Sequence, residues 1–157
     1  AIASMNYKNF GKLDFKKFHP SGNLATKLKT VEDLMIKGNK IPFIDENSSM
    51  KNALKILSKK NLGVLIVRNR KKKTTGVITD GDLKRAIAKN TEIKNINLKK
   101  IMSKNPISIN QNELAVEALS LMTSKKKITS LCVYRNKKKN QTVGLIHIHN
   151  ILNANIN

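Results

Sequence analysis

A threonine and an aspartate three residues apart form the pair of side chains in this chain best suited to chemistry. Thr79 and Asp82 lie within Gly-Val-Ile-Thr-Asp-Gly-Asp-Leu at residues 76–83, which reads as a short buried strand that runs directly into a helix. Because the first turn of a helix has unpaired backbone N–H groups and the positive end of the dipole, anionic oxygens bind there readily. Thr79 could bond a phosphate, and Asp82 could accept hydrogen bonds from the paired hydroxyls of a sugar. The junction predicts a site that holds a nucleotide rather than one that attacks it.

The chain repeats this segment as Gly-Leu-Ile-His-Ile-His-Asn-Ile at residues 144–151, with different polar side chains. His147 takes the place of the hydroxyl, and Asn150 takes the place of the carboxylate. An amide can still bond a sugar hydroxyl, but without charge assistance, so the second junction is the weaker candidate for ribose. His147 and His149 are two residues apart and would share one face of a strand. Ligand contact or simple packing is favoured there over a metal ion.

The helices that must position these junctions are duplicated as well. Each has apolar residues spaced i, i+3, i+4, i+7, the stripe of an amphipathic helix. The two stripes are Met50, Ala53, Leu54, Leu57 and, 65 positions later, Ala115, Ala118, Leu119, Met122. Ser49 and Asn112 stand just before them, where N-cap residues are expected.

Strands and turns follow the same duplicated order. Strands are predicted at residues 41–44 and 62–67, and their equivalents at 106–109 and 129–134. A lysine triplet in a polar turn follows each second strand and leads into the strand–helix junction. With a short helical lead-in before each copy, both units predict the order β-α-β-β-α.

Two such units in register resemble a tandem pair of CBS domains over about residues 31–154. The resemblance implies an α/β (α+β) fold in which two β-α-β-β-α repeats pack about a pseudo-twofold axis and leave two clefts, usually for adenine nucleotides. It divides the chain into a tail and linker at 1–30, repeat 1 at 31–92 and repeat 2 at 93–157. The residues expected to bind a ligand are Thr79, Asp80, Gly81, Asp82, Arg85, Ile41, Pro42, Thr129, His147, His149 and Asn150.

The segment Phe-His-Pro-Ser-Gly-Asn-Leu at residues 18–24 resembles a domain junction of the arabinose-5-phosphate isomerases, which carry a sugar-isomerase (SIS) domain before a CBS pair. The resemblance implies that His19 is a catalytic histidine of aldose–ketose interconversion in the intact parent enzyme. A loop residue ahead of a proline-broken turn is the other interpretation. The remaining catalytic residues would precede Ala1. Because an isolated histidine has neither a positioned substrate nor electrostatic stabilisation, isomerisation by this chain alone is not expected.

The same resemblance implies a regulatory role. The parent enzyme would convert ribulose 5-phosphate to arabinose 5-phosphate for the synthesis of Kdo, a sugar of lipopolysaccharide and capsule. We expect the pair to sense an adenine nucleotide or, by pathway logic, the nucleotide sugar CMP-Kdo, with no required cofactor. Assembly into a homo-oligomer through the CBS pairs is also expected. A dimerisation element with empty clefts is the alternative within the family.

Composition bounds the remaining possibilities. The chain has 157 residues, a formal charge of +21 and 39% hydrophobic residues, so a nucleic-acid-binding module is another alternative. The lysines are nevertheless scattered, and no aromatic residues lie among them to stack bases. The sequence has no apolar run of membrane-spanning length and no zinc-ligand spacing. The single Cys132 fits a reducing compartment, so we expect a cytoplasmic protein without a metal.

Overall fold

The computed structural model describes residues 27–89, 92–124 and 127–155. The prediction for His19 and most of the predicted 1–30 tail therefore lie outside the described residues. The described helices are α1 (Val31–Leu34), α2 (Met50–Lys60), α3 (Asp80–Lys89), α4 (Leu98–Ile101), α5 (Ala115–Thr123) and α6 (Ile148–Leu152). The described strands are β1 (Phe43–Asp45), β2 (Val64–Arg68), β3 (Thr74–Thr79), β4 (Ser103–Lys104), β5 (Ser108–Asn110), β6 (Ser130–Tyr134) and β7 (Thr142–His147).

The strands form two mixed sheets of equivalent topology. In the order β1-β2-β3-β4, the first pair is parallel and the next two are antiparallel. In the order β5-β6-β7, the first pair is again parallel and the second antiparallel. Each hairpin has a bulge at the same place, between Val67 and Arg68 in one sheet and between Val133 and Tyr134 in the other. The predicted α/β class and the duplicated unit order are confirmed.

The two long helices of the repeats begin in different ways. Ser49 caps α2 as predicted, because its hydroxyl accepts the backbone N–H of Asn52 at 3.1 Å. The prediction that Asn112 caps α5 is wrong. The backbone N–H of Asn112 instead donates to the Asn110 side chain at 2.9 Å, and this tight turn places Leu114, without a side-chain cap, before the helix.

Each lead-in helix packs on the other repeat rather than on its own. Val31 of α1 lies in one core with Ile109 and Met122, whereas Leu98 of α4 lies in another core with Ile44 and Leu83. The backbone continues this exchange, since the Ile36 N–H donates to the Leu145 carbonyl at 2.7 Å, and β4 pairs with β3. The repeats therefore interlock, and a division of the chain after residue 92 cuts through both cores.

The exchange explains the glycine that opens each strand–helix segment. A Cβ on Gly76 would lie 2.7 Å from the Ser103 carbonyl oxygen and 2.8 Å from Met102 Sδ. A Cβ on Gly144 would meet Met35 Sδ and would lie 3.1 Å from the Ile36 carbonyl oxygen. Both glycines are needed because the lead-in of the opposite repeat crosses the strand at this point.

Equivalent residues meet where the repeats join. Thr74 Oγ1 and Thr142 Oγ1, the first residues of β3 and β7, are 2.5 Å apart, as a pseudo-twofold axis between the hairpins requires. A shared aliphatic cluster lies between the sheets, and each such buried side chain stabilises the fold by about 1.5–3 kcal/mol. Its members are Ile41, Val64, Ile66, Cys132 and Leu145. Burial raises the pKa of the Cys132 thiol to about 11.

Candidate functional site

The first junction is built as a reciprocal cap of helix α3. The Thr79 backbone N–H donates to Asp82 Oδ2 at 2.9 Å, and the Asp82 backbone N–H donates to Thr79 Oγ1 at 3.2 Å. Two N–H groups that would otherwise lack partners at the helix start are thereby satisfied. Asp82 also places negative charge at the positive end of the helix dipole. The spacing of these two side chains thus has a structural role before any ligand is considered.

Arg85 occupies the other oxygen of the same carboxylate. Its Nη2 donates to Asp82 Oδ1 at 2.6 Å, and the Arg85 side chain is 67% exposed while that of Asp82 is 15% exposed. A Cβ on Gly81 would lie 3.2 Å from Arg85 Nη1, so the guanidinium lies over this glycine. Since a carboxylate has about four lone-pair sites, Asp82 retains acceptor capacity. A bound diol would nevertheless compete with Arg85 rather than with the backbone.

The second junction has a similar cap, with different chemistry and with one hydrogen bond shifted by a residue. The His147 backbone N–H donates to Asn150 Oδ1 at 2.9 Å, and the His149 backbone N–H donates to His147 Nδ1 at 3.1 Å. Because Nδ1 accepts, the proton of the neutral ring is on Nε2. Burial, and then the nearby His149, lower the pKa of His147. The neutral ring that caps this helix is thus the favoured form.

The two histidines lie on either side of the change from strand to helix. Strand β7 ends at His147, and His149 lies in α6. The two rings are nevertheless stacked, with centroids 4.9 Å apart and planes inclined by 20°. The turn from strand to helix brings the side chains together in a way that a two-residue period does not predict.

A cavity of about 470 Å³ lies between the repeats beside the first junction. Thr79 lines it from β3, the linker at 103–107 lines a second side, and residues 127–130 line a third. Its polar lining residues include Thr79, Ser103, Thr129 and Ser130 and the lysines Lys104 and Lys127. Its apolar lining includes Val64, Val77, Ile107 and Leu145. Hydroxyls, two cations and an apolar wall suit a ligand with both a ring and an anionic group.

The cavity brings together only part of the predicted set of binding residues. Thr79 and Thr129 line it, but Ile41 and Pro42 are buried, and Ile41 belongs to the cluster between the sheets. The remaining predicted residues do not line it: Asp80, Gly81, Asp82 and Arg85 follow Thr79 on α3, and His147, His149 and Asn150 form the other junction.

The pseudo-twofold arrangement explains this separation. Thr79 of repeat 1 shares the cavity with Pro106 and Ile107 of repeat 2, which are the equivalents of Ile41 and Pro42. The duplication could have indicated these two residues and Ser130, had each junction been paired with the opposite repeat. Lys104 and Lys127 could not be predicted as site residues, because lysine is scattered throughout the chain.

Neither a metal cluster nor a membrane span accompanies this site. The described residues contain no group of three or more His, Cys, Asp or Glu side chains that could hold a metal ion. No helix in the same part of the chain is long and apolar enough to cross a membrane.

Comparison with known proteins adds a family and several relatives. The family model described as CBS domain matches residues 31–89 and again 98–157. An uncharacterized protein of Rickettsia prowazekii, RP505, is 35% identical over 149 residues, which are 95% of this chain and 45% of that protein. Arabinose 5-phosphate isomerase KdsD of Salmonella typhimurium is 32% identical over 157 residues, 99% of this chain and 47% of the isomerase. The chain thus spans about half the length of the curated relatives it matches.

Solved structures show the same fold. The CBS domain pair of protein MJ0100, in complex with 5-methylthioadenosine and S-adenosyl-L-methionine, is 26% identical with a TM-score of 0.68, covering 80% of this chain and 94% of that one. CBSX2 in complex with AMP is 23% identical with a TM-score of 0.65, covering 81% and 96%. The second of these likenesses shows the fold alone.

Proposed function

The chain belongs to the CBS-domain family, as a tandem pair similar to the C-terminal part of arabinose 5-phosphate isomerase KdsD, and from this premise we propose that it is a regulatory module that binds a nucleotide between its repeats. The observation that carries the proposal is the cavity of about 470 Å³ beside the capped start of α3. Its volume lies within the range of small-molecule sites. The module would bias an attached catalytic domain, which requires that the ligand bind one arrangement of the protein better than another.

The polar groups of the cavity suggest how the nucleotide would lie. The Thr79 and Thr129 hydroxyls and the amines of Lys104 and Lys127 would bind phosphate oxygens, since cations and hydroxyls are the usual side-chain partners of phosphate. The base would pack on the apolar wall. Asp82 would accept the ribose hydroxyls at the rim, and Arg85 would then release the carboxylate or turn to the phosphate.

The ligand class that we propose first is the adenine nucleotides and nucleosides. MJ0100, whose CBS pair shares this fold and 26% of the aligned residues, is complexed with two adenosine derivatives. CMP-Kdo is the finer proposal, because a chain of formal charge +21 favours a strongly anionic effector. The two proposals differ in the base that the apolar wall must accept.

A thermal-melt panel tests both. The purified chain is heated with AMP, ATP, S-adenosyl-L-methionine, CMP, CMP-Kdo and a short DNA duplex. A ligand at a hundred times its dissociation constant adds about 2.7 kcal/mol to the unfolding free energy, which is a shift of several degrees. A selective shift with CMP-Kdo supports the feedback sensor, and one with adenine compounds supports the adenine-binding module. A shift with DNA alone, falling steeply with salt, would instead support the nucleic-acid alternative.

We further propose that the parent protein is an arabinose-5-phosphate isomerase in which His19 contributes to catalysis. The proposal is supported by 32% identity to KdsD over the whole of this chain, including the segment that holds His19. It is tested by assaying the product of the native gene for conversion of ribulose 5-phosphate, with and without the nucleotides above. An inactive product, or a gene without a sugar-isomerase segment, would contradict this part while leaving nucleotide binding standing.

An assembly role is the second candidate, and exposed leucines favour it. Leu121 of α5 and Leu152 of α6 are 43% and 40% exposed on neighbouring helices of repeat 2. A second copy that covered them would form a homo-oligomer through the CBS pairs. Light scattering of the wild type and a Leu121→Lys variant would test this role: an unchanged monomer mass for both would contradict it.

A further inference from the structure

A second pocket lies at the far end of the first sheet from the nucleotide cavity. It has a volume of about 240 Å³ and is lined by β1, β2 and the hairpin turn that follows β2. Val64 at the start of β2 pairs with Thr79 beside the cavity, whereas Arg68 at the end of β2 lines this pocket. Because β1 and β2 are parallel, their carboxyl ends meet here. The pocket is therefore separate from the cleft between the repeats and independent of the proposed function.

Arg68 is held in this pocket by an aromatic ring rather than by a carboxylate. Its guanidinium carbon lies 3.7 Å from the centroid of the Phe43 ring, and its side chain is half-buried. The bulge between Val67 and Arg68 turns the residue out of the regular ladder. Within the described part of the chain, the guanidinium has no hydrogen bond and no ion pair. A planar group with five donors is thus fixed in place with its hydrogen-bonding edge unused.

The turn adds further cations in a defined conformation. Asn69 Oδ1 accepts the backbone N–H groups of Lys71 and Lys73, both at 3.0 Å, so the turn is fastened to the end of β2. Arg70 and Lys72 of this turn line the pocket together with Arg68. Three positively charged residues therefore line one small volume. A compact dianion matches this arrangement better than a single carboxylate does.

Asp45 adds a carboxylate to the lining of this pocket. One of its oxygens accepts the Asn47 backbone N–H at 2.8 Å. A carboxylate would repel a ligand that was anionic throughout, but it would accept hydrogen bonds from hydroxyl groups. The lining thus combines a phosphate-binding side with a hydroxyl-binding side.

The second repeat has other residues at the equivalent positions. Ser108, Asn110 and Tyr134 occupy the positions equivalent to Phe43, Asp45 and Arg68 in the registers of the two sheets. The position of Phe43 is thus taken by a serine and that of Arg68 by a tyrosine. The pairing of Arg68 with Phe43 is therefore not a requirement of the fold.

From these contacts we infer that the pocket binds a small phosphate monoester that carries hydroxyl groups. Arg68 binds the phosphate bidentately, Arg70 and Lys72 neutralise its charge, and Asp45 accepts a hydroxyl. The volume, about half that of the cavity between the repeats, suits a phosphorylated triose or pentose better than a nucleotide.

The inference is tested by calorimetric titration of the full chain with glycerol 3-phosphate and with inorganic phosphate, at constant ionic strength. Arg68→Gln should weaken the binding of glycerol 3-phosphate about tenfold or more, because it removes a charge-assisted bidentate contact. Arg135→Gln is the matched control, because Arg135 is an exposed arginine in the equivalent turn of repeat 2, and it should leave affinity within about twofold. Arg70→Gln should fall between the two and serves as the second variant if Arg68→Gln is poorly folded.

Three results would overturn the inference: no binding of either phosphate by the wild type, equal losses in Arg68→Gln and Arg135→Gln, or binding of a DNA duplex that competes fully with glycerol 3-phosphate. The last two would indicate a diffuse basic surface. Nucleotide-induced melt shifts measured on Arg68→Gln separate the two sites, because they should be retained whether or not the phosphate site exists.

Discussion

The two strand–helix junctions of this chain share a capping arrangement and differ in chemistry. In both, the residue before the helix donates its backbone N–H to the side chain three positions later, at 2.9 Å. Its own side chain accepts a backbone N–H of the first helical turn, from Asp82 at 3.2 Å in the first junction and from His149 at 3.1 Å in the second. The first uses a hydroxyl and a carboxylate, and the second uses an imidazole and an amide. The comparison shows that capping a helix at these positions does not require a charged side chain.

A third junction supports this separation. Thr30 and Asp33 at the start of α1 form the same reciprocal pair, at 2.8 and 3.3 Å, and neither lines the cavity between the repeats. A Thr-x-x-Asp spacing by itself therefore indicates the start of a helix rather than a ligand site. What distinguishes Thr79 is the neighbouring cavity, which residues of the opposite repeat complete.

The largest expected effect concerns what the repeats share. Gly76→Ala and Gly144→Ala should each reduce the free energy of unfolding by about 1–3 kcal/mol, because the new methyl group overlaps the lead-in of the opposite repeat. Urea denaturation measures both. Gly38→Ala probes positive φ without a close contact and is the control for backbone strain alone. If only one of the Gly76 and Gly144 variants lost stability, the two interlocked lead-ins would not be equivalent.

An intermediate effect separates capping from binding. Asp82→Ala and Asn150→Ala should each cost about 1 kcal/mol of stability, since each removes one half of a reciprocal cap. Only Asp82→Ala should also weaken nucleotide binding, by about tenfold, because it removes a charge-assisted hydrogen-bond partner. Denaturation and calorimetric titration on the same preparations make the comparison. Weakening by Asn150→Ala with unchanged affinity in Asp82→Ala would place the ligand at the second junction instead.

The smallest expected effect is a pH dependence near the histidine pKa that arises at the second junction. The pKa of His147 is lowered in the folded state, so the unfolded chain binds its proton first as pH falls. Its contribution is complete above the ordinary histidine pKa of about 6.5 and declines as pH falls through that value. Stability curves at several pH values should show this decline in the wild type and lose it in His147→Thr, whose hydroxyl also caps. A decline of equal size in the variant would contradict the assignment.

Local patterns in the sequence were sufficient for the elements of the fold. The stripes on α2 and α5 and the duplicated junctions follow from periodicity, which depends only on neighbouring residues. The exchange of the lead-ins could not be predicted in the same way, because nothing near Val31 or Leu98 indicates which of two similar cores accepts it. That choice is made by packing between repeats.

The candidate site was predicted only in part for the same reason. Thr79 was found from its own segment, but its partners at 103–107 and 127–130 come from the other repeat and required the three-dimensional arrangement. Asn112 does not cap α5, because its backbone N–H donates to the Asn110 side chain in a competing turn. Arg68 was not predicted as a site residue, because basic residues are abundant in this chain. Its position over Phe43 depends on a bulge that the sequence does not reveal.

The most direct test of nucleotide binding between the repeats is a calorimetric titration of AMP into the wild type, Thr129→Val and Ser58→Ala. Thr129 lies in the cavity and on the opposite repeat from Thr79, and its side chain caps no helix, whereas Ser58 is exposed on α2. Saturable binding at one site per chain, weakened about tenfold in Thr129→Val and unchanged in Ser58→Ala, is the result we predict. The same panel is repeated with CMP-Kdo if AMP gives no heat. Absence of binding by both nucleotides, or equal affinity in all three proteins, would contradict a nucleotide site in this cleft.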